Sequence, residues 1–198
     1  DCNDEEKKSH PGGIEICDLL DNNCVNGIDE GLDCCWNIGE KKDLELCPPY
    51  DFVFVIDNSS SMDSSDPDGI RYEGLSNLVE QMSDDDRGLI IHFNSTPTKV
   101  GYFTSNKAQL VGFINEAKNS GNSGYTNISG SVKLGIEQYE DNLQKRALIL
   151  LTDGYDSEGD YYPSYLKQEA QKKEIKIFTL GLGSDVNEDY LKQFVTYG

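Results

Sequence analysis

The sequence predicts an α/β protein: a doubly wound, mostly parallel central sheet flanked by helices, preceded by a small disulfide-rich arm. Three observations lead there. The runs DFVFVID (51–57) and ALILLTD (147–153) are near-continuously apolar, as strands buried on both faces of a parallel sheet must be. Segments of helical periodicity separate such runs, and alternating strands and helices build a sheet covered on both sides. All six cysteines fall within the first 47 residues.

The main domain begins after Cys47-Pro48-Pro49, where two prolines break any continuing element and the composition changes from polar and acidic to apolar. Residues 1–49 form the arm and residues 50–198 the domain. Its first strand, 51–57, is followed by a helix over 70–82, with Ile70, Gly74, Leu75, Leu78, Val79 and Met82 on one stripe. A strand over 87–94 pairs with a weaker one near 98–103, because Asn94-Ser95-Thr96-Pro97 between them forms a turn. A helix over 106–119 leads into the glycine-rich loop 120–127, and a further helix spans 128–143. The strand 147–153, an acidic tyrosine-rich loop, a helix over 164–174, a strand over 175–183 and a helix over 187–195 complete the chain.

With 198 residues the chain holds one well-packed domain and an appendage. A formal net charge of −19 argues against nucleic acid and anionic membrane surfaces as partners, since phosphate repels such a surface. No run approaches the roughly 18 apolar residues of a membrane span. The opening DCNDEEKK is not a signal peptide, so the sequence reads as a mature or excised form. Cys2, Cys17, Cys24, Cys34, Cys35 and Cys47, crowded into a core-poor stretch, imply disulfides and an oxidising, secreted or cell-surface setting. Zinc is disfavoured there: no CxxC pair occurs, and His10 alone lies nearby. The pairing stays open.

Enzymatic machinery is not apparent. Only His10 and His92 exist, and His92 sits inside LIIHF, where a hydrogen-bonded strand histidine is the ordinary reading. Ser59 lacks a GxSxG context, Gly181-Leu182-Gly183 lacks a third glycine, and no GxxxxGK occurs.

Oxygen donors instead collect where the apolar strands end, the place at which open α/β sheets bind ligands. Asp57, Ser59 and Ser61 follow the first strand, Thr126 opens a helix, and Asp153 closes the strand 147–153. Two carboxylates and three hydroxyls make a hard, low-charge donor set suited to Mg²⁺, Mn²⁺ or Ca²⁺ and not to Zn²⁺ or copper, which prefer imidazole and thiolate.

With these residues in view, the chain resembles a von Willebrand factor type A domain. The five-part pattern DxSxS…T…D is matched by Asp57, Ser59, Ser61, Thr126 and Asp153, within the phrases FVFVIDNSSSM, GYTNISGSVKLGI, RALILLTDG and KIFTLGLGSDVNEDYLKQF. The resemblance implies a metal-ion-dependent adhesion site. Ser59 and Ser61 would touch the ion directly, Asp57 and Asp153 would act mostly through water, and Thr126 would alternate between the two. A partner's Asp or Glu would complete the shell. Specificity would come from the rim 63–69, 121–125 and 155–162, with Tyr125, Tyr155, Tyr161 and Tyr162 as contact residues. Asp63 and Asp66 are candidates for a second ion beside the first.

The resemblance implies an extracellular protein-binding or adhesion module; the alternatives are a structural subunit of a surface assembly binding sister copies, and an intracellular chelatase-type subunit, which the cysteines disfavour. Relatives continue past the final helix with an edge strand and a last helix, so the chain is expected to be part of a longer polypeptide. The arm's ICDLLDNNCVNGIDEGLDC (16–34) resembles short Asp/Asn-rich repeats of bacterial secreted proteins. Asp18, Asp21, Asn23, Asn26, Asp29 and Glu30 are its candidate calcium ligands, although an EF-hand alignment fails because Cys24 falls where an oxygen is needed.

Overall fold

The structure, a computed structural model, describes Pro11, Cys24 and residues 49–140, 144–154, 156–184 and 186–196. The chain divides into two compact units, residues 1–48 and 49–198. In the first, Cys24 is disulfide-bonded. The remaining cysteines and the six candidate calcium ligands of the arm lie outside the described residues.

The second unit is a five-stranded sheet with helices on both faces. Its strands are β1 (Tyr50–Asp57), β2 (Arg87–Phe93), β3 (Pro97–Thr104), β4 (Lys145–Thr152) and β5 (Ile175–Gly181), in the order β3-β2-β1-β4-β5. β1 lies at the centre and pairs in parallel with β2 and β4; β5 adds to β4 in parallel, and β3 is antiparallel to β2. The helices are α1 (Met62–Ser65), α2 (Ile70–Gln81), α3 (Lys107–Asn119), α4 (Ile128–Glu137), α5 (Pro163–Lys172) and α6 (Glu188–Leu191).

Successive residues of a strand point to opposite faces, so a strand covered on both sides must be apolar throughout. β1 shows this directly. Val53 and Val55 enter a core with Val132 and Ile136 of α4 and Leu166 of α5, whereas Phe54 and Ile56 enter another with Leu75 and Val79 of α2 and Leu110 and Ile114 of α3. On the first face α4 lies so close to the sheet that a Cβ on Gly135 would stand 2.6 Å from the Leu148 side chain. At the start of the sheet, Arg87 clasps Asp51 with Nε and Nη2, at 2.8 and 2.7 Å, fixing the register of β2 against β1.

Three expectations are corrected. The buried stripe of α2 is rotated: Ile70 and Leu78 are exposed, while Arg71 and Tyr72 are buried with Leu75 and Val79. A polar network described below draws Arg71 inward. The helix expected over 128–143 stops at Glu137, because Tyr139 turns into the core and donates its hydroxyl to the Ala147 C=O at 2.6 Å. The final helix is a single turn, Glu188–Leu191.

Candidate metal centre

Strand β1 delivers Asp57 to the upper edge of the sheet, fully buried. Its Oδ1 accepts the Ser59 N–H at 2.8 Å, bending the chain back over the strand end, and its Oδ2 accepts the Thr152 hydroxyl from the end of β4. The Ser59 and Ser61 hydroxyls lie 3.0 Å apart. Ser61 then opens α1, a turn read from the sequence only as rim loop, anchored by the fully buried Met62. From α1, Ser65 donates its hydroxyl to Asp153 Oδ2 at 3.0 Å. Asp57, Ser59, Ser61 and Asp153 are thus linked through short contacts among the first and third loops.

Thr126, also buried, comes from the second loop. That loop is joined to the first: Gly124 C=O accepts the Ser60 N–H and hydroxyl at 3.2 and 2.9 Å, and the Ser123 N–H donates to Asn58 C=O at 2.9 Å. Among the described residues the Thr126 hydroxyl makes no hydrogen bond to the other four.

Burial pushes the Asp57 carboxyl up to about 6, against the lowering effect of its bonds from Ser59 and Thr152, and the neighbouring Asp153 adds to the rise. A buried carboxylate with a second one beside it is a place where a cation would relieve an unfavourable charge. The donors fit a hard cation: two carboxylates and three hydroxyls, all oxygen. Among the described residues no group of three or more His, Cys, Asp or Glu side chains is placed to hold a metal, so such a site depends on its hydroxyls.

Gly154 follows Asp153 with φ +93°, and a Cβ there would meet the Asn187 nitrogen at 2.9 Å. A backbone conformation that only glycine adopts readily therefore sets the direction of the chain after Asp153. Gly154→Ala is expected to destabilise the domain by about 1–3 kcal/mol, read from the urea midpoint. An unchanged midpoint would remove the constraint.

Under the site lies a buried polar network that the sequence did not announce. Asp66 accepts the Ile70 and Arg71 N–H groups at 2.7 and 3.2 Å and pairs with Arg71 Nη1 at 2.7 Å. Arg71 Nη2 donates to the Tyr72 hydroxyl at 2.9 Å and to Asn122 Oδ1 at 2.6 Å. Tyr72 donates in turn to Asn58 Oδ1 at 2.7 Å, and Asn58 Nδ2 reaches Ala117 C=O at 2.7 Å. Asn58, between the first two ligand candidates, is so tied to α2 and α3. The Asn122 amide donates to Asp63 Oδ1 at 2.7 Å. Asp63 and Asp66 are therefore both engaged in hydrogen bonds of this network.

Of the expected rim tyrosines, Tyr125, Tyr161 and Tyr162 are exposed, and Tyr162 is 82% so. Tyr155 lies outside the described residues. His92 is half-buried in β2, with Nδ1 3.4 Å from the Ser120 hydroxyl, and burial lowers its pKa. Among the described residues no helix is long and apolar enough to cross a membrane.

Residues 51–197 match the family model of the von Willebrand factor type A domain, and the chain belongs to that family. A second model, for a metal-binding motif of the MopE type, matches residues 1–30. Comparison with curated proteins returns no match. Among solved structures, BatB from Bacteroides thetaiotaomicron superposes with a TM-score of 0.63 at 17% identity, covering 74% of this chain and 85% of its own. Manganese-loaded TRAP protein from Plasmodium vivax gives a TM-score of 0.63 at 15% identity, covering 74% and 62%. Proximal thread matrix protein 1 from the mussel byssus, with a zinc-occupied MIDAS motif, gives 0.67 at 21% identity, covering 76% of this chain and 40% of that one. At these identities the likeness speaks for the fold.

Proposed function

We propose that Asp57, Ser59, Ser61, Thr126 and Asp153 hold one divalent cation, Mg²⁺, Mn²⁺ or Ca²⁺, and that the domain is an extracellular adhesion or protein-binding module. Ser59 and Ser61 offer the direct oxygens; Asp57 and Asp153 balance the charge from behind. A partner's Asp or Glu completes the shell, and the exposed Tyr125, Tyr161 and Tyr162 flank it. The observation that carries this reading is the short-range linkage of the first and third loops through Asp57, Thr152, Ser65 and Asp153. In support, the manganese-loaded and zinc-occupied proteins share the fold. In the arm, Asp18, Asp21, Asn23, Asn26, Asp29 and Glu30, the proposed Ca²⁺ ligands, lie within the stretch that matches a metal-binding motif, which supports metal binding there without naming the ion.

A second reading, a structural subunit of a surface assembly, draws on the mussel matrix protein's having this fold. Sedimentation and surface capture separate the two. An adhesion module stays monomeric when Mg²⁺ is added and captures a peptide library member only if it carries Asp or Glu, with capture lost in EDTA. Cation-driven self-association would favour the assembly. Capture of acidic and neutral peptides alike, unaffected by EDTA, would defeat the first reading.

A further inference from the structure

By sequence the loop after Asp153 belongs to the rim, yet residues 156–158 turn toward the second loop and hold its backbone. Ser157 Oγ accepts the Thr126 N–H at 3.0 Å, and the N–H groups of Ser157 and Glu158 donate to the Thr126 C=O at 2.9 and 3.2 Å. Both backbone polar groups of Thr126 are thereby taken by one neighbouring loop. Asp156 continues the grip into the first turn of α4: Oδ1 accepts the Ile128 N–H at 3.2 Å and Oδ2 the Ser129 N–H at 3.1 Å. Those amides have no partner within the helix, and a carboxylate there also suits the helix dipole. From the far side Tyr190 of α6 donates its hydroxyl to Asp156 Oδ2 at 2.7 Å. Burial and the adjacent carboxylate raise the Tyr190 pKa, so the phenol stays a donor.

We propose that Asp156 and Ser157 are positioning residues that set where Thr126 presents its hydroxyl, and that Tyr190 fixes Asp156. Besides packing against Gly154, the α6 segment thus reaches the second loop through the Asp156 carboxylate. The proposal rests on the reading of Thr126 as a ligand. Neither Asp156 nor Ser157 needs to touch the ion. Their effect passes through the Thr126 backbone, as that of outer residues around metal ligands generally does.

The test is Mn²⁺ titration calorimetry on the full 198-residue chain, with the component that Asp57→Ala abolishes taken as the site's own. Asp156→Ala is expected to weaken that component by about tenfold or more. Ser157→Ala and Tyr190→Phe should weaken it several-fold. Asp156→Asn should fall in between, because its amide oxygen still accepts one of the two N–H groups. Asn106→Ala is the control: it removes the cap of α3, whose side chain accepts the Gln109 N–H at 3.0 Å, and should lower the urea midpoint while leaving Mn²⁺ affinity unchanged. If Asp156→Ala and Ser157→Ala behave like that control, less stable but with wild-type affinity, the proposal is overturned. Should Asp156→Ala fail to fold, Ser157→Ala decides by the same criterion. A wild-type titration that Asp57→Ala leaves unaltered overturns the metal reading itself, and this proposal with it.

Discussion

Asp57→Ala is expected to lose divalent-cation binding at the end of β1 by about 100-fold or more, followed by calorimetry with Mg²⁺ and Mn²⁺. The carboxylate is fully buried and tied to Ser59 and Thr152, so its loss removes both a charge and the acceptor that shapes the end of β1. Asp57→Asn separates charge from architecture. The amide oxygen still accepts a hydrogen bond, yet the charge that attracts the ion is gone, so binding should fall nearly as far. Metal-free stability should respond differently. Because burial disfavours the charged form of Asp57, the neutral amide should be tolerated near neutral pH, whereas alanine leaves the buried Thr152 hydroxyl and Ser59 N–H without their acceptor. Equal cation affinity in wild type, Asp57→Asn and Asp57→Ala would show that the ion, if bound, sits elsewhere.

Asp66→Ala is expected to cost about 3–5 kcal/mol of stability, read from urea unfolding. The Asp66 and Arg71 side chains are 4% and 1% exposed, and removing the acid strands a guanidinium in the interior together with two N–H groups of α2. Replacing both partners, Asp66→Ala with Arg71→Met, should be less destabilising than Asp66→Ala alone, since no buried charge is left over. Because Arg71 also holds Asn122, and through Tyr72 holds Asn58, the single variant should loosen the first two loops as well. A single-variant loss below about 1 kcal/mol would mean that solvent reaches the pair.

Where the physics is local the sequence was legible. The apolar runs 51–57 and 147–153 mark central strands because burial on both faces leaves no polar position, and they emerge as Tyr50–Asp57 and Lys145–Thr152. The turn at Asn94–Pro97 signals an antiparallel partner, and β3 is one. The ligand candidates were legible as residue types at strand ends, though not as a geometry. What escaped depends on contacts distant in sequence. A hydrophobic stripe cannot foresee that Arg71 is drawn inside by Asp66, Asn122 and Tyr72. Nor can helical spacing reveal that Tyr139 leaves α4 to meet the Ala147 C=O. The grip of Asp156 and Ser157 on the second loop joins residues about thirty positions apart, and Asp, Ser and Glu in a loop look the same whether they face solvent or an amide.

The placement of β1 between β2 and β4 has a consequence for motion. A strand flanked on both sides opens to solvent only when much of the domain unfolds, whereas loops open locally and often. Backbone amides of Val53 to Ile56 should therefore be among the slowest to exchange with deuterium, and those of Asn122, Gly124, Gly159 and Asp160, which donate no hydrogen bond among the described residues, among the fastest. Occupancy of the site would then register as slowed exchange in the loops over an already quiet strand. The domain thus carries Asp57 at the end of its most protected strand.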